Sequence, residues 1–88
     1  MTDIQFKDIK ARVEDLYRYL EVEHKLEEIQ SMEETSHAPG FWDDPKAAEV
    51  LLKQVKQLKV WTEAYKVVKA AFEDMQVLWE FYITGDLD

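Results

Sequence analysis

The chain has 88 residues, a net charge of −8 and no cysteine, with 47% hydrophobic and 12% aromatic side chains. This length fits one small domain, and the composition favours a packed core over disorder. The lack of thiols excludes disulfides and thiolate metal sites, and the negative charge opposes nucleic-acid binding. No apolar run approaches the ~20 residues of a membrane span. We therefore expect a single cytoplasmic domain over residues 1–88.

The first predicted helix covers residues 3–34. Thr2 and Gln5 have the spacing of a capping box at its start. Its apolar residues follow at intervals of three and four, which is typical of one helical face: Phe6, Ile9, Val13, Leu16 and Leu20. The stripe then changes phase, and its later members are Tyr19, Val22, Leu26, Ile29 and Met32. A break near residues 21–24 would explain the shift, but we favour a continuous bent helix because no proline or glycine lies there.

The helical pattern is interrupted over residues 35–44. Pro39-Gly40 ends the first helix, because a residue before proline avoids the helical conformation and glycine supports a left-handed turn. Asp44 can cap the next helix, and Pro45 fits the first helical position, where no N–H is needed. Phe41 and Trp42 are large aromatic side chains in this loop, and we expect both to be buried at the turn.

The second predicted helix covers residues 45–83, with Gly85 as its C-cap and residues 86–88 as a tail. From residue 60 onward it is apolar over a wider arc than one partner helix covers. A second apolar stripe causes this width: Val60, Ala64, Val67, Ala71 and Leu78, with Trp61 beside it. Residues 1–44 carry five basic and 12 acidic side chains, whereas residues 45–70 carry six lysines and two glutamates. Opposite charges favour antiparallel pairing of the two helices.

The pattern predicts an all-α fold, a long antiparallel helical hairpin or coiled-coil-like bundle. Because the apolar arc is wide, a third helix or a second copy of the chain must cover part of it. We predict a homodimer that forms a four-helix assembly through one face of the second helix. That candidate interaction face consists of Val68, Phe72, Met75, Trp79 and Tyr82.

No catalytic, cofactor or metal site is predicted. His24 and His37 are the only histidines, and the chain has no glycine-rich phosphate loop. Five lysines lie at helical spacing in the second helix: Lys53, Lys56, Lys59, Lys66 and Lys69. They could bind an RNA backbone or an acidic partner, or they could pair with the glutamates of the first helix. We favour pairing within the hairpin, because helical lysines usually form solvated faces.

The loop and the helices around it resemble the N-terminal domain of bacterial peptide chain release factor 2. The most specific element is a Pro-x-Phe-Trp-x-Asp-Pro segment, present here as residues 39–45. Weaker similarity extends over the helical flanks, at residues 16–20, 25–28, 46–48, 51–53, 58–59 and 63–65. The resemblance covers essentially the whole chain.

The resemblance implies a part in translation termination at UGA and UAA codons. Members of this family read the codon with a Ser-Pro-Phe tripeptide and promote peptidyl-tRNA hydrolysis with a Gly-Gly-Gln loop, and neither motif occurs here. The resemblance further implies a non-catalytic fragment of a longer protein, in which more helix completes the domain. Its expected partners are the ribosomal stalk base and the GTPase release factor. Two other hypotheses stay open, a free-standing coiled-coil adaptor or oligomerisation module and an RNA-binding helical hairpin.

Overall fold

The computed structural model describes residues 1–85, so the predicted tail at residues 86–88 lies outside the described part. Three α-helices follow one another: α1 (Asp3–Tyr19), α2 (Val22–Ser36) and α3 (Pro45–Thr84). A short 3₁₀ turn (Phe41–Asp43) precedes α3. Helices α1 and α2 together run antiparallel to α3, with α1 beside its C-terminal half and α2 beside its N-terminal half. The predicted all-α hairpin is confirmed.

Side-chain and backbone caps fix the ends of the helices. The Gln5 amide N–H donates to Thr2 Oγ1 at 3.2 Å, and the Thr2 amide N–H donates to Gln5 Oε1 at 2.9 Å. At the start of α3, the Ala47 amide N–H donates to Asp44 Oδ1 at 3.2 Å. Gly85 closes α3 with a φ of +80°, a left-handed conformation that glycine adopts without steric cost. These caps lie where the sequence signals predict them.

The first predicted helix is divided in two, so the expectation of a continuous helix over residues 3–34 is wrong. Glu21 separates α1 from α2 with φ +50° and ψ +48°, a left-handed conformation. Leu20 and Val22 would lie about 200° apart on a continuous helix, and both could not then face α3. One left-handed residue resets the phase, and Val22 is only 3% exposed. Burial of both apolar stripes therefore outweighs the cost of a left-handed glutamate.

The boundary also decides which residues of the second stripe are buried. Val22 and Ile29 are buried against α3, whereas Tyr19 is 84% exposed and Leu26 is 51% exposed. Tyr19 is the last residue of α1, and its side chain keeps the phase of that helix. The predicted stripe from residue 19 to residue 32 therefore combined positions from two helices with different orientations.

Aromatic contacts hold α1 against the C-terminal half of α3. The Phe6 ring stacks on Phe72 with centroids 5.8 Å apart and on Trp79 with centroids 5.9 Å apart. Tyr17 packs against Tyr65 at 5.3 Å. Such pairs add about 0.5–1.5 kcal/mol each beyond the burial of their area. The hairpin measures 62 × 23 × 14 Å, which is two helices wide and one helix thick.

Candidate interaction surfaces

The aromatic pair at the hairpin tip is not a buried plug. Trp42 is 63% exposed, and Phe41 is partly buried and meets Trp42 edge to face with centroids 5.0 Å apart. Gly40, at φ +82°, directs the chain into the 3₁₀ turn. A hairpin one helix thick has no second layer at its tip to enclose an indole. The prediction that Trp42 is buried is therefore wrong.

The exposed indole borders a shallow, mainly apolar groove on the flank of α3. Pro45 and Leu52 line this groove with Trp42, and Lys53 and Lys56 lie at its edge. Leu52 is itself 43% exposed. The hairpin tip therefore combines an accessible aromatic ring with cationic side chains.

The predicted dimer face is instead the internal contact between α3 and α1. Phe72 and Trp79 stack on Phe6, and Trp79 is 9% exposed. Met75 and Val68 flank these rings on α3, and the Tyr82 ring stacks on Trp79 at 5.4 Å. Helix α1 covers Phe72 and Trp79, so these two residues of the predicted face are occupied within the chain, whereas Val68 is 40% exposed and Tyr82 is 63% exposed.

The second apolar stripe of α3 is exposed. Val67 is 70% exposed and Leu78 is 60% exposed. Val60, Trp61 and Phe81 are also exposed. On a helix Val67, Leu78 and Phe81 face away from Tyr65 and Trp79. Trp61 instead lines a groove with Lys25 and Met32 of α2. The sequence pattern identified the stripe but not its extension to Phe81, which continues the same three- and four-residue spacing.

The five lysines do not act as one group. Lys59 Nζ lies 2.7 Å from Glu33 Oε1 on α2, an ion pair across the hairpin. A hydrogen bond to Glu33 and the charge of that carboxylate raise the pKa of Lys59 above its ordinary value. Lys53 pairs with Glu49 at 2.9 Å within α3, and Lys69 lies 4.0 Å from Glu73. Lys56 and Lys66 are exposed.

Pairing between the lysines and the first-half glutamates is therefore observed for Lys59. The other pairs, Lys53 with Glu49 and Lys69 with Glu73, are local contacts along α3. Within residues 1–85, no three His, Cys, Asp or Glu side chains are grouped so that they could hold a metal ion. None of the helices in that range combines the length and the apolar character that a membrane crossing requires.

The described residues thus form an extended all-α hairpin with an exposed apolar stripe and an exposed aromatic tip. Comparison with curated proteins gives a more particular result. The chain is 33% identical to peptide chain release factor 2 of Staphylococcus aureus over 61 residues, which are 69% of this chain and 16% of the relative. It is 25% identical to release factor 2 of Streptomyces avermitilis over 76 residues, 86% of this chain and 21% of the relative.

Release factor 2 of Nautilia profundicola is 27% identical over 74 residues, 84% of this chain and 20% of the relative. The predicted resemblance to bacterial release factor 2 is thus confirmed over most of the chain. The aligned part spans no more than about a fifth of the length of these relatives. No protein-family model matches the chain, and no solved structure matches it.

Proposed function

We propose that this chain is the ribosome-docking domain of a protein like release factor 2 and takes part in translation termination at UGA and UAA codons. The observation that carries the proposal is the similarity to three release factors 2 over 69–86% of the chain. The domain acts by binding and has no catalytic step of its own. Codon recognition and peptidyl-tRNA hydrolysis belong to other parts of such a protein.

The hairpin tip is the surface that we assign to the ribosome. Trp42 is held in a 3₁₀ turn between two helices, so its ring is presented with little conformational freedom to lose on binding. Lys53 and Lys56 line the groove beside it, where Lys53 is paired with Glu49 and Lys56 is exposed. An aromatic anchor with adjacent cations suits a ribosomal surface, where rRNA phosphates and protein side chains lie close together.

The docked domain would also stand near the site at which a GTPase release factor acts. We propose that it influences that GTPase through its position on the ribosome. Omission of this domain from a release factor 2 would then slow GTPase-dependent recycling while leaving peptide release on isolated termination complexes nearly unchanged. Loss of peptide release itself would contradict a purely binding role.

Co-sedimentation with 70S ribosomes tests the docking proposal directly. We expect the 88-residue chain to pellet with ribosomes and to be displaced by full-length release factor 2 from Staphylococcus aureus. The double variant Trp42→Ala, Lys56→Glu should lose this binding, whereas Lys10→Glu on the exposed side of α1 should retain it. Binding that release factor 2 does not displace would contradict the proposal.

The same material distinguishes the other two hypotheses. Equal affinity for naked rRNA and for intact ribosomes, with a steep salt dependence, would favour an RNA-binding hairpin. The genomic reading frame after codon 88 gives an independent test. A frame that encodes Ser-Pro-Phe and then Gly-Gly-Gln supports the termination role, whereas a stop codon directly after Asp88 favours a free-standing adaptor.

A further inference from the structure

The junction between α1 and α2 is held in a conformation that its own residues do not favour. Within residues 1–85, Glu21 is the only residue besides glycine with a positive φ, at φ +50° and ψ +48°. The left-handed conformation costs an L-residue free energy, whereas glutamate is among the better helix formers. Local preference at this position therefore opposes tertiary packing, and such conflicts are concentrated at sites that change conformation.

Lys25 stabilises the broken helix from the α2 side. In a continuous helix the Leu20 carbonyl would accept a hydrogen bond from the His24 amide N–H. In the structure this carbonyl accepts from Lys25 Nζ instead, and the Lys25 amide N–H donates to the Glu21 carbonyl at 2.9 Å. The ammonium group thus replaces a lost backbone donor at the C-terminal end of α1, where the helix dipole favours a cation.

A continuous helix would give the same lysine a different partner. Glu21 and Lys25 are four residues apart with the acid first, which is the favourable order for an ion pair on a helix. Formation of this pair would withdraw the ammonium group from the Leu20 carbonyl, which the His24 amide N–H would then satisfy. Lys25 therefore has one acceptor in the broken state and another in the continuous state.

The two states differ in the direction of the apolar stripe of α1. Leu20 and Val22 would lie about 200° apart on a continuous helix. With Val22 kept against α3, closure of the break would turn the apolar stripe of α1 away from α3. Phe6 would then leave Phe72 and Trp79, the two rings on which it stacks in the structure. The conformation of one residue thus controls whether α1 covers the aromatic face of α3.

We propose that the junction is a two-state switch, in which Lys25 moves between the Leu20 carbonyl and the Glu21 carboxylate as the helix breaks or closes. The broken state, with α1 docked on α3, is the ground state of the chain. In the continuous state α2 stays docked through its buried residues Val22 and Ile29, while α1 turns its polar side to α3. The ring contacts of α1 are lost in that state, but its helical structure is kept.

Substitution of Lys25 in the 88-residue chain tests the switch. Lys25→Met keeps an aliphatic stem but cannot donate to the Leu20 carbonyl, so the ratio of continuous to broken state should rise about 5- to 10-fold. The ion pair with Glu21 that this variant also loses is the weaker of the two contacts. Lys25→Arg keeps the cation and should restore the native ratio. Lys10→Met is the matched control, because Lys10 is exposed on α1 and the same charge is removed away from the junction.

Two NMR signals report the two parts of the switch. The Cα chemical shift of Glu21 reports its backbone conformation and should move towards the helical value in Lys25→Met. The indole N–H signal of Trp79 reports the docking of α1, because the Phe6 ring stacks on this indole and shifts its resonances. In Lys25→Met that signal should move towards the value of an unstacked indole. The helical circular dichroism should not fall, since α1 stays helical in both states.

Movement of both signals in Lys25→Met, with native signals in Lys25→Arg and Lys10→Met, would support the switch. If Lys25 is only a structural residue, Lys25→Met would lower the melting temperature and leave the Glu21 signal in place, which would overturn the proposal. Movement of the Trp79 signal with a loss of helical circular dichroism would show that α1 unfolds instead of joining α2. That result, or equal shifts in Lys25→Met and Lys25→Arg, would also overturn it.

Discussion

Replacement of Glu21 by glycine should stabilise the protein, although glycine is normally unfavourable near helices. Glu21 has φ +50° and ψ +48° at the junction of α1 and α2. A left-handed conformation costs an L-residue about 1–2 kcal/mol, and glycine avoids that cost. Glycine also increases the entropy of the unfolded chain, which offsets roughly 0.5–1 kcal/mol of the gain. We expect a net increase in the free energy of unfolding of up to ~1 kcal/mol.

The matched control is Glu14→Gly in the middle of α1. Glu14 is exposed, so the substitution removes the same charge from a helical position. The free energy of unfolding should fall by roughly 0.5–1 kcal/mol there, because glycine disfavours a helix interior. The same chemical change, seven residues apart, should therefore have opposite signs.

Urea denaturation followed by circular dichroism at 222 nm measures both effects. In a thermal scan of a domain of this size, a change of ~1 kcal/mol in the free energy of unfolding corresponds to a shift of about 4–8 °C in the melting temperature. If Glu21→Gly lowers stability as much as Glu14→Gly, then residue 21 is helical in solution. That result would refute the left-handed junction and favour one continuous helix from α1 to α2.

Three further predictions concern the hairpin. Asp44→Ala should cost about 1 kcal/mol through the lost cap of α3, and an unchanged urea midpoint would contradict that role. Trp79→Ala should lower the free energy of unfolding by roughly 3–5 kcal/mol, because the Trp79 indole is buried. Trp42→Ala should lower it by less than ~1 kcal/mol, because the Trp42 indole is exposed. Equal losses would show that the tip is packed. The ion pair between Lys59 and Glu33 should stabilise the fold at low salt, as a comparison with Glu33→Gln would measure. Because the pKa of Lys59 is raised in the folded state, the stabilisation is complete below ~pH 10.4 and is lost as the pH rises through the folded-state pKa. If the difference in unfolding free energy between the native chain and Glu33→Gln changed neither with salt nor at alkaline pH, the ion pair would be excluded.

Local sequence signals predicted the start of α1 and both ends of α3. The capping box of Thr2 and Gln5, the Asp44-Pro45 start of α3 and the Gly85 cap each depend on a few neighbouring residues. Such signals act through the backbone of the same turn, so no tertiary contact is needed to interpret them. The resemblance to release factor 2 likewise came from contiguous residues, chiefly residues 39–45.

The break at Glu21 shows where local signals are insufficient. The sequence revealed the phase shift between Leu20 and Val22, but no proline or glycine marked a break. A continuous helix satisfies every local preference at that point. Only the packing of both stripes on α3 makes a left-handed glutamate the lower free-energy solution, and that packing is a property of the whole hairpin.

The sequence by itself determined that α3 has more apolar surface than one helix can cover. It could not determine which side of α3 meets α1, because both stripes have helical spacing and bulky residues. The tertiary structure decided this: Phe6 stacks on Phe72 and Trp79, and the stripe through Val67 remains outside. Large flat rings on both helices gain more from mutual burial than aliphatic and alanine side chains do, and this difference selects the inner face.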